Sequence, residues 1–183
     1  MDDISVIKRC LEGEAEVFEV LVKRYHTQVL AVSLNFQKNL EDARDMVQET
    51  FLQAYANLNR FDTTRRFKPW LLAIAVKRNL DRIKKNRTIL NYFLKKSQEM
   101  KQDIATRKKD LHESDLFYPL LQSLSSRERL ALILKMEEGY SAREIGEILS
   151  CSEATARVHV FNAKRKIKRT LDKMGNPTET KKE

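Results

Sequence analysis

The stretch Tyr140-Ser141-Ala142-Arg143-Glu144-Ile145-Gly146-Glu147-Ile148-Leu149-Ser150-Cys151-Ser152-Glu153-Ala154-Thr155-Ala156-Arg157-Val158-His159-Val160-Phe161-Asn162-Ala163-Lys164-Arg165-Lys166-Ile167-Lys168-Arg169 decides the fold. It reads as a short helix, a tight turn and a longer helix. Ser141 with Glu144 three residues on makes a capping box. Ile145, Ile148 and Leu149 form the buried stripe of the first helix, and Gly146 lets the second helix approach closely. Ser150-Cys151 is the turn, and Ser152 caps the longer helix. Ala156, Val160, Ala163, Ile167 and Leu171 then share one helix face. The opposite face shows Arg157, His159, Asn162, Lys164, Arg165 and Lys166. Two capped helices across a tight turn are the helix-turn-helix plan. Arg and Asn can read guanine and adenine edges, while Lys and Arg neutralise phosphates. A helical hairpin with a solvated basic face is the plainer alternative. The capped spacing and the base-reading residue types together favour DNA.

Working outward, the same helical grammar continues. Ser125 with Glu128 makes a second capping box, ahead of Leu130, Leu132, Ile133, Leu134 and Met136, and Gly139 ends that helix. Towards the N-terminus, Val17, Phe18, Leu21, Val22, Tyr25, Val29, Val32 and Phe36 recur at three- and four-residue spacing. After a polar break at Asn39, a second stripe runs through Ala43, Met46, Val47, Phe51, Ala54, Tyr55 and Leu58. Phe61–Arg66 is a loop by composition, and Pro69 suits the first turn of the next helix, which carries Trp70, Leu71, Ile74, Leu80 and Ile83. The 183 residues hold 4 Gly and 3 Pro, too few for the turns of a β-sandwich or barrel. The isolated glycines also exclude a Gly-rich nucleotide loop. The expected class is all-α: two small helical domains, residues 10–87 and 114–172, with a linker at 88–113 and a disordered tail at 173–183.

Charge separates three zones. The whole chain carries +9, which favours a polyanionic partner. Residues 62–109 hold 15 Lys and Arg against 4 acids, more than that entire surplus. Phe61, Phe67 and Trp70 sit beside this charge. Cations with exposed rings suit unstacked single-stranded bases, although Trp70 reads better as core. By contrast, Glu41, Asp42, Asp45 and Glu49 face only Arg44. Asp42, Asp45 and Glu49 lie at i, i+3 and i+7, on one helix face. With no neighbouring nucleophile or metal-spaced His, this face reads as solvated or as a dock for a basic protein partner, not as a catalytic pair. No catalytic residue, cofactor, metal site or small-molecule substrate is expected. Two cysteines make no disulfide framework, and Cys151 in the turn reads as a small buried thiol. Neither a signal peptide nor a membrane-spanning run is visible, so cytoplasm is the expected compartment.

Together these motifs resemble the bacterial sigma-70 superfamily, in its extracytoplasmic-function (ECF) group. Asp42-Ala43-Arg44-Asp45-Met46-Val47-Gln48-Glu49-Thr50-Phe51 is similar to that family's core-polymerase-binding motif. Phe67-Lys68-Pro69-Trp70-Leu71-Leu72-Ala73-Ile74-Ala75, ending in Asp81-Arg82-Ile83-Lys84-Lys85, resembles its −10 recognition segment. Leu124-Ser125-Ser126-Arg127-Glu128-Arg129 and Tyr140–Gly146 resemble its −35-reading domain. The resemblance implies a sigma region 2 bundle and a sigma region 4 helix-turn-helix. It implies core RNA polymerase contacts at Asp42, Asp45, Gln48 and Glu49. It implies −10 contacts at Arg65, Arg66, Phe67, Lys77, Arg78, Asp81, Arg82, Lys84 and Lys85, including capture of an extruded base. It implies −35 contacts at Arg143, Arg157, His159, Phe161, Asn162 and Lys164. Core RNA polymerase, promoter DNA and an anti-sigma factor are the implied partners of a protein that is not itself an enzyme. The chain departs from the family at Lys77, where Asn is frequent, and at Ser150, where a left-handed turn position usually has Gly. A stand-alone helix-turn-helix regulator, or a sigma-like protein that sequesters polymerase, are the alternatives.

Overall fold

The computed structural model describes residues 1–37, 39–96, 120, 123–136 and 139–175. Most of the expected linker (97–113) and the tail from 176 onward lie outside the described residues. Among those described, all regular secondary structure is helical. The helices are α1 (Asp3–Leu11), α2 (Glu19–Phe36), α3 (Leu40–Ala56), α4 (Phe67–Lys96), α5 (Ser126–Met136), α6 (Ala142–Leu149) and α7 (Glu153–Gly175). Short 3-10 turns at Ala15–Phe18 and Leu58–Arg60 complete them. No helix among the described residues is long and apolar enough to cross a membrane.

Helices α1–α4 form the first unit. The α2 stripe buries Leu21, Tyr25, Val29, Val32 and Phe36 in one cluster with Val47 and Phe51 of α3 and Leu71, Leu72, Ala75 and Val76 of α4. Asn39 caps α3, accepting from the Asp42 N–H at 2.7 Å. Three expectations are corrected. Helix α1 begins at Asp3, ahead of the expected boundary at residue 10, and its Val6 and Ile7 are fully buried in the same core. The α2 pattern does not begin as one helix, because Val17 and Phe18 lie in a 3-10 turn. Helix α4 does not stop before 88; it runs on through the start of the expected linker to Lys96.

Helices α5–α7 form the second unit. Both capping boxes are present: Ser141 with Glu144, and Ser125 with Glu128. Ser152 caps α7, its hydroxyl accepting from the Thr155 N–H at 3.1 Å. Ala156 and Ala163 are buried on the inward face of α7 with Val160 and Ile167 partly so, but Leu171, expected on the same face, is exposed. Ile133 and Met136 are exposed too, on the outer side of α5.

The turn between α6 and α7 rests on two residues. A Cβ at Gly146 would stand 2.8 Å from the Cys151 carbonyl oxygen, in backbone that cannot swing aside. Ser150 holds φ 53° and ψ 50°, the left-handed region that costs a side chain about 1–2 kcal/mol. Substitutions at the two sites should act in opposite directions. Gly146→Ala should lower stability by about 1–3 kcal/mol through overpacking. Ser150→Gly should raise it by about 0.5–1 kcal/mol, the relieved strain exceeding the extra freedom of the unfolded chain. Urea melts of both variants check the pair; a destabilised Ser150→Gly variant would contradict the strain argument.

The two units pack on one another. Helix α6 lies against α4, and α5 reaches α2, where the Asn35 amide donates to the Ser126 carbonyl at 2.8 Å. One buried apolar cluster runs from α1–α4 into Leu130, Leu134, Tyr140 and Ile145.

Candidate nucleic-acid interface

Three surfaces carry the motifs, and helix geometry sets each. On α3 the buried stripe of Ala43, Met46, Val47 and Thr50 turns Asp45, Gln48 and Glu49 outward. Asp42 is half-buried. The acidic face is not wholly open, because Arg82 of α4 crosses to it at 3.3 Å from Asp42 and 3.7 Å from Glu49. Two sequence-predicted sites thus meet: a residue expected on phosphates is clamped by carboxylates expected on polymerase. Beside this face lies an apolar depression walled by Phe18, Val22, Val47, Phe51, Leu52 and Tyr55, with Leu52 and Tyr55 exposed.

The second surface is the loop from Asp62 to Arg66 and the adjoining face of α4. Asp62 accepts from the Thr64 N–H at 3.0 Å and from its hydroxyl at 2.7 Å, an Asx turn that presents Arg65 and Arg66 outward. Those hydrogen bonds hold the Asp62 carboxyl below its usual range. Lys77, Asp81, Lys84 and Lys85 are exposed on α4, and Arg78 is half-buried with its guanidinium on Gln53. Gln53, Asn57, Arg60, Trp70, Lys77, Arg78 and Asp81 line a polar pocket of about 430 Å³. Gln53, Asn57 and Arg60 escaped the sequence reading because they lie on α3 and its following turn, outside the motif.

Phe67 is not part of this surface. It is 1% exposed and wedged among Tyr25, Phe61 and Trp70, with ring centroids 5.5–5.7 Å apart. As the first residue of α4 it anchors the loop from below. The expected base contact at Phe67 is therefore corrected: the aromatic beside the cations belongs to the core. Trp70 is half-buried over Phe61 and Phe67, with one edge on the polar pocket.

The third surface is α7. Arg157, Phe161 and Lys164 are exposed along one outward stripe. Arg157 is tethered to Glu153 one turn back at 2.5 Å. Arg165 lies over the Phe161 ring at 5.7 Å and donates to Asn162 Oδ1 at 3.3 Å, leaving Asn162 half-buried. Val158, not singled out from sequence, is exposed beside them and could meet a thymine methyl. His159 turns partly inward: its Nε2 is enclosed without a hydrogen-bond partner. Burial first, and Arg127 second, lower its pKa, so the ring is held neutral. Arg143 on α6 is well exposed. Cys151, expected to be buried, is only half-buried in the turn, and that partial burial raises its thiol pKa.

Residues 21–89 match the family model of sigma-70 region 2, and residues 114–167 match that of sigma-70 region 4. The first covers α2 through most of α4, and the second ends within α7. The chain belongs to the sigma-70 family. Curated relatives agree on the group. The ECF RNA polymerase sigma factor SigW of Bacillus subtilis is 25% identical, over 90% of this chain and 94% of its own. The RNA polymerase sigma-H factor of Pseudomonas aeruginosa is 24% identical, over 92% and 93%. Among solved structures, CnrH in complex with the cytosolic domain of CnrY aligns at TM-score 0.64, 22% identity, and 93% and 97% coverage. The sigma factor RpoE with the anti-sigma factor NepR from Bartonella quintana aligns at 0.63, 20% identity, and 85% and 96% coverage. These two likenesses speak to the fold. This sigma factor therefore directs promoter-specific transcription initiation by core RNA polymerase, through region 2 and region 4. Sigma factors are transcription regulators rather than catalysts.

Proposed function

We propose that the three surfaces divide the work of initiation. The outward residues of α3, Asp45, Gln48 and Glu49 with Asp42 at their edge, dock core RNA polymerase through a basic partner surface. The Asp62–Arg66 loop, with Lys77, Arg78, Asp81, Lys84 and Lys85, takes the −10 element as it melts. The 430 Å³ pocket beside Trp70 is the observation that carries this reading. A polar recess rimmed by cations, next to an aromatic edge, suits an unstacked base and its flanking phosphates. Arg82 joins the phosphate contacts only after releasing Asp42 and Glu49. Arg157, Phe161, Asn162 and Lys164 read the −35 major groove, with Arg143 on the backbone and His159 positioning the helix as a neutral, half-buried group. The first domain spans α1 to about residue 87, and the second spans about 114–172.

The setting is the cytoplasm, where core polymerase works, with no reaction catalysed by the chain itself. An anti-sigma factor is its regulatory partner, a reading supported by the aligned RpoE–NepR complex. The test is run-off transcription: core polymerase, this protein and fragmented genomic DNA, with the 5′ ends sequenced. New starts sharing spaced −10 and −35 elements are expected. In the same assay, Lys77→Ala/Arg78→Ala should reduce open-complex formation at those starts at least tenfold while core binding persists. Core binding without new starts would indicate a protein that sequesters polymerase instead.

A further inference from the structure

Helix α7 carries two apolar faces, and packing uses one of them. Ala156 and Ala163 are buried, with Val160 and Ile167 packed beside them. On the opposite side Ala154, Val158 and Phe161 follow one another at four- and three-residue spacing, so they share a stripe. All three are exposed, Val158 at 54% and Phe161 at 63%.

Charge frames the stripe. Arg157, Lys164 and Lys168 run along one flank, and Asn162 and Arg169 along the other. Arg165 closes the far end, 5.7 Å from the centre of the Phe161 ring. The guanidiniums nearest the stripe are already engaged: Arg157 pairs with Glu153 at 2.5 Å, and Arg165 donates to Asn162 Oδ1 at 3.3 Å. The middle of the outward face therefore offers methyls and a ring, not free donors.

This layout fits a groove with an apolar feature on its floor and anions on its rims. In the DNA major groove phosphates line both rims, and the thymine C5-methyl is the apolar feature between them. An apolar protein surface would match the stripe but leave the flanking cations without complementary charge. Ala154 and Phe161 stand seven residues apart, about 10 Å along the helix and about three base-pair steps of DNA. We propose that Val158 and Phe161, with Ala154 at their edge, select the −35 element through the C5-methyl groups of thymines. The proposal rests on the −35 reading of α7 given above and names the chemical group that is read. A cytosine in the same place would set Val158 against a bare C5–H. Discrimination is then a burial effect of one methyl, roughly fourfold in affinity.

The experiment uses holoenzyme assembled from core polymerase and the full chain. The probe is a promoter duplex from a strong run-off start, with each −35 thymine on either strand replaced in turn by deoxyuridine. That base keeps thymine's hydrogen-bonding edge and lacks only the methyl. Deoxyuridine at one or two positions should weaken binding roughly fourfold each, and replacement outside the element should change little. With Val158→Ala/Phe161→Ala holoenzyme, the thymine-to-deoxyuridine affinity ratio should fall to near one. Arg165, released by loss of the ring, acts on both templates alike and cancels in that ratio. Both side chains are exposed, so the variant's thermal melt should match wild type. A wild-type ratio near one at every position would overturn the proposal, and so would a ratio that the double variant leaves unchanged. Failure of the underlying reading looks different: scrambling the whole −35 element would then leave holoenzyme binding as it was.

Discussion

Asn79→Asp is expected to lower the stability of the first unit by about 3–5 kcal/mol at neutral pH, the cost of an uncompensated buried charge. Asn79 is fully buried at the centre of α4. Its Nδ2 donates to the Ala75 carbonyl at 2.9 Å and to the Ser33 hydroxyl at 3.3 Å. Its Oδ1 accepts from Gln37 Nε2 at 2.7 Å. A carboxylate keeps the Gln37 bond and turns the other oxygen on a carbonyl, acceptor against acceptor. Burial raises the introduced carboxyl's pKa in the folded state above its unfolded value of about 3.9. The folded state then holds the proton more tightly than the unfolded state. The variant's deficit is therefore small below about pH 4 and grows as pH rises through the folded pKa. Urea melts at pH 5 and pH 8 check this: the gap from wild type should widen at pH 8. A constant, small gap would show that the site admits water. The functional consequence is rotational. Asn79 fixes which face of α4 is inward, and so holds Lys77 and Asp81 outward. Open-complex formation should fall with stability in this variant.

That role shows what the sequence could and could not tell. Spacing already placed Asn79 on a different face from Lys77, because two residues turn a helix by about 200°. It could not say that Ser33 and Gln37, more than forty positions earlier, would satisfy the amide. The capping boxes at Ser125 and Ser141 were legible because capping is local: three residues and two hydrogen bonds define it. The left-handed backbone at Ser150 was legible only as a departure from the family's Gly, and the structure shows the serine adopting that conformation. Helix α1 had its signals, with Asp2 accepting from the Ser5 N–H and Val6, Ile7 and Cys10 on one face, but nine residues fall short of a persuasive period. Arg82 exposes the deeper limit. Its sequence neighbours are basic, whereas its partners, Asp42 and Glu49, arrive from another helix. Charge runs along a chain describe a surface only until tertiary packing brings the opposite charge across.

Phe67→Ala is expected to cost about 3–5 kcal/mol, the usual range for emptying a buried aromatic site. Small domains hold about 5–15 kcal/mol in total, so much of the first unit's stability goes with it. The sequence placed this ring among DNA contacts, since it stands between Arg66 and Lys68 and beside Trp70. Its environment says otherwise. Tyr25 reaches it from α2, Phe61 precedes the loop, and Trp70 follows one turn on. Tyr25 is itself anchored, its hydroxyl donating to Asp3 at 2.5 Å, and burial and that carboxylate raise its pKa. Ring packing thus ties α1, α2 and α4 beneath the Arg65–Arg66 loop. The two accounts part at Phe67→Leu. If Phe67 is core, leucine restores most of the volume, the loss shrinks to roughly 1–2 kcal/mol, and promoter melting by the folded variant is close to wild type. If the ring stacks on a base, leucine should leave stability almost untouched and weaken −10 single-strand binding by about 1–3 kcal/mol. Thermal melts beside open-complex assays at 20 °C separate them. The 1% exposure of the ring favours the first result: a base cannot stack on a face that Tyr25, Phe61 and Trp70 already cover.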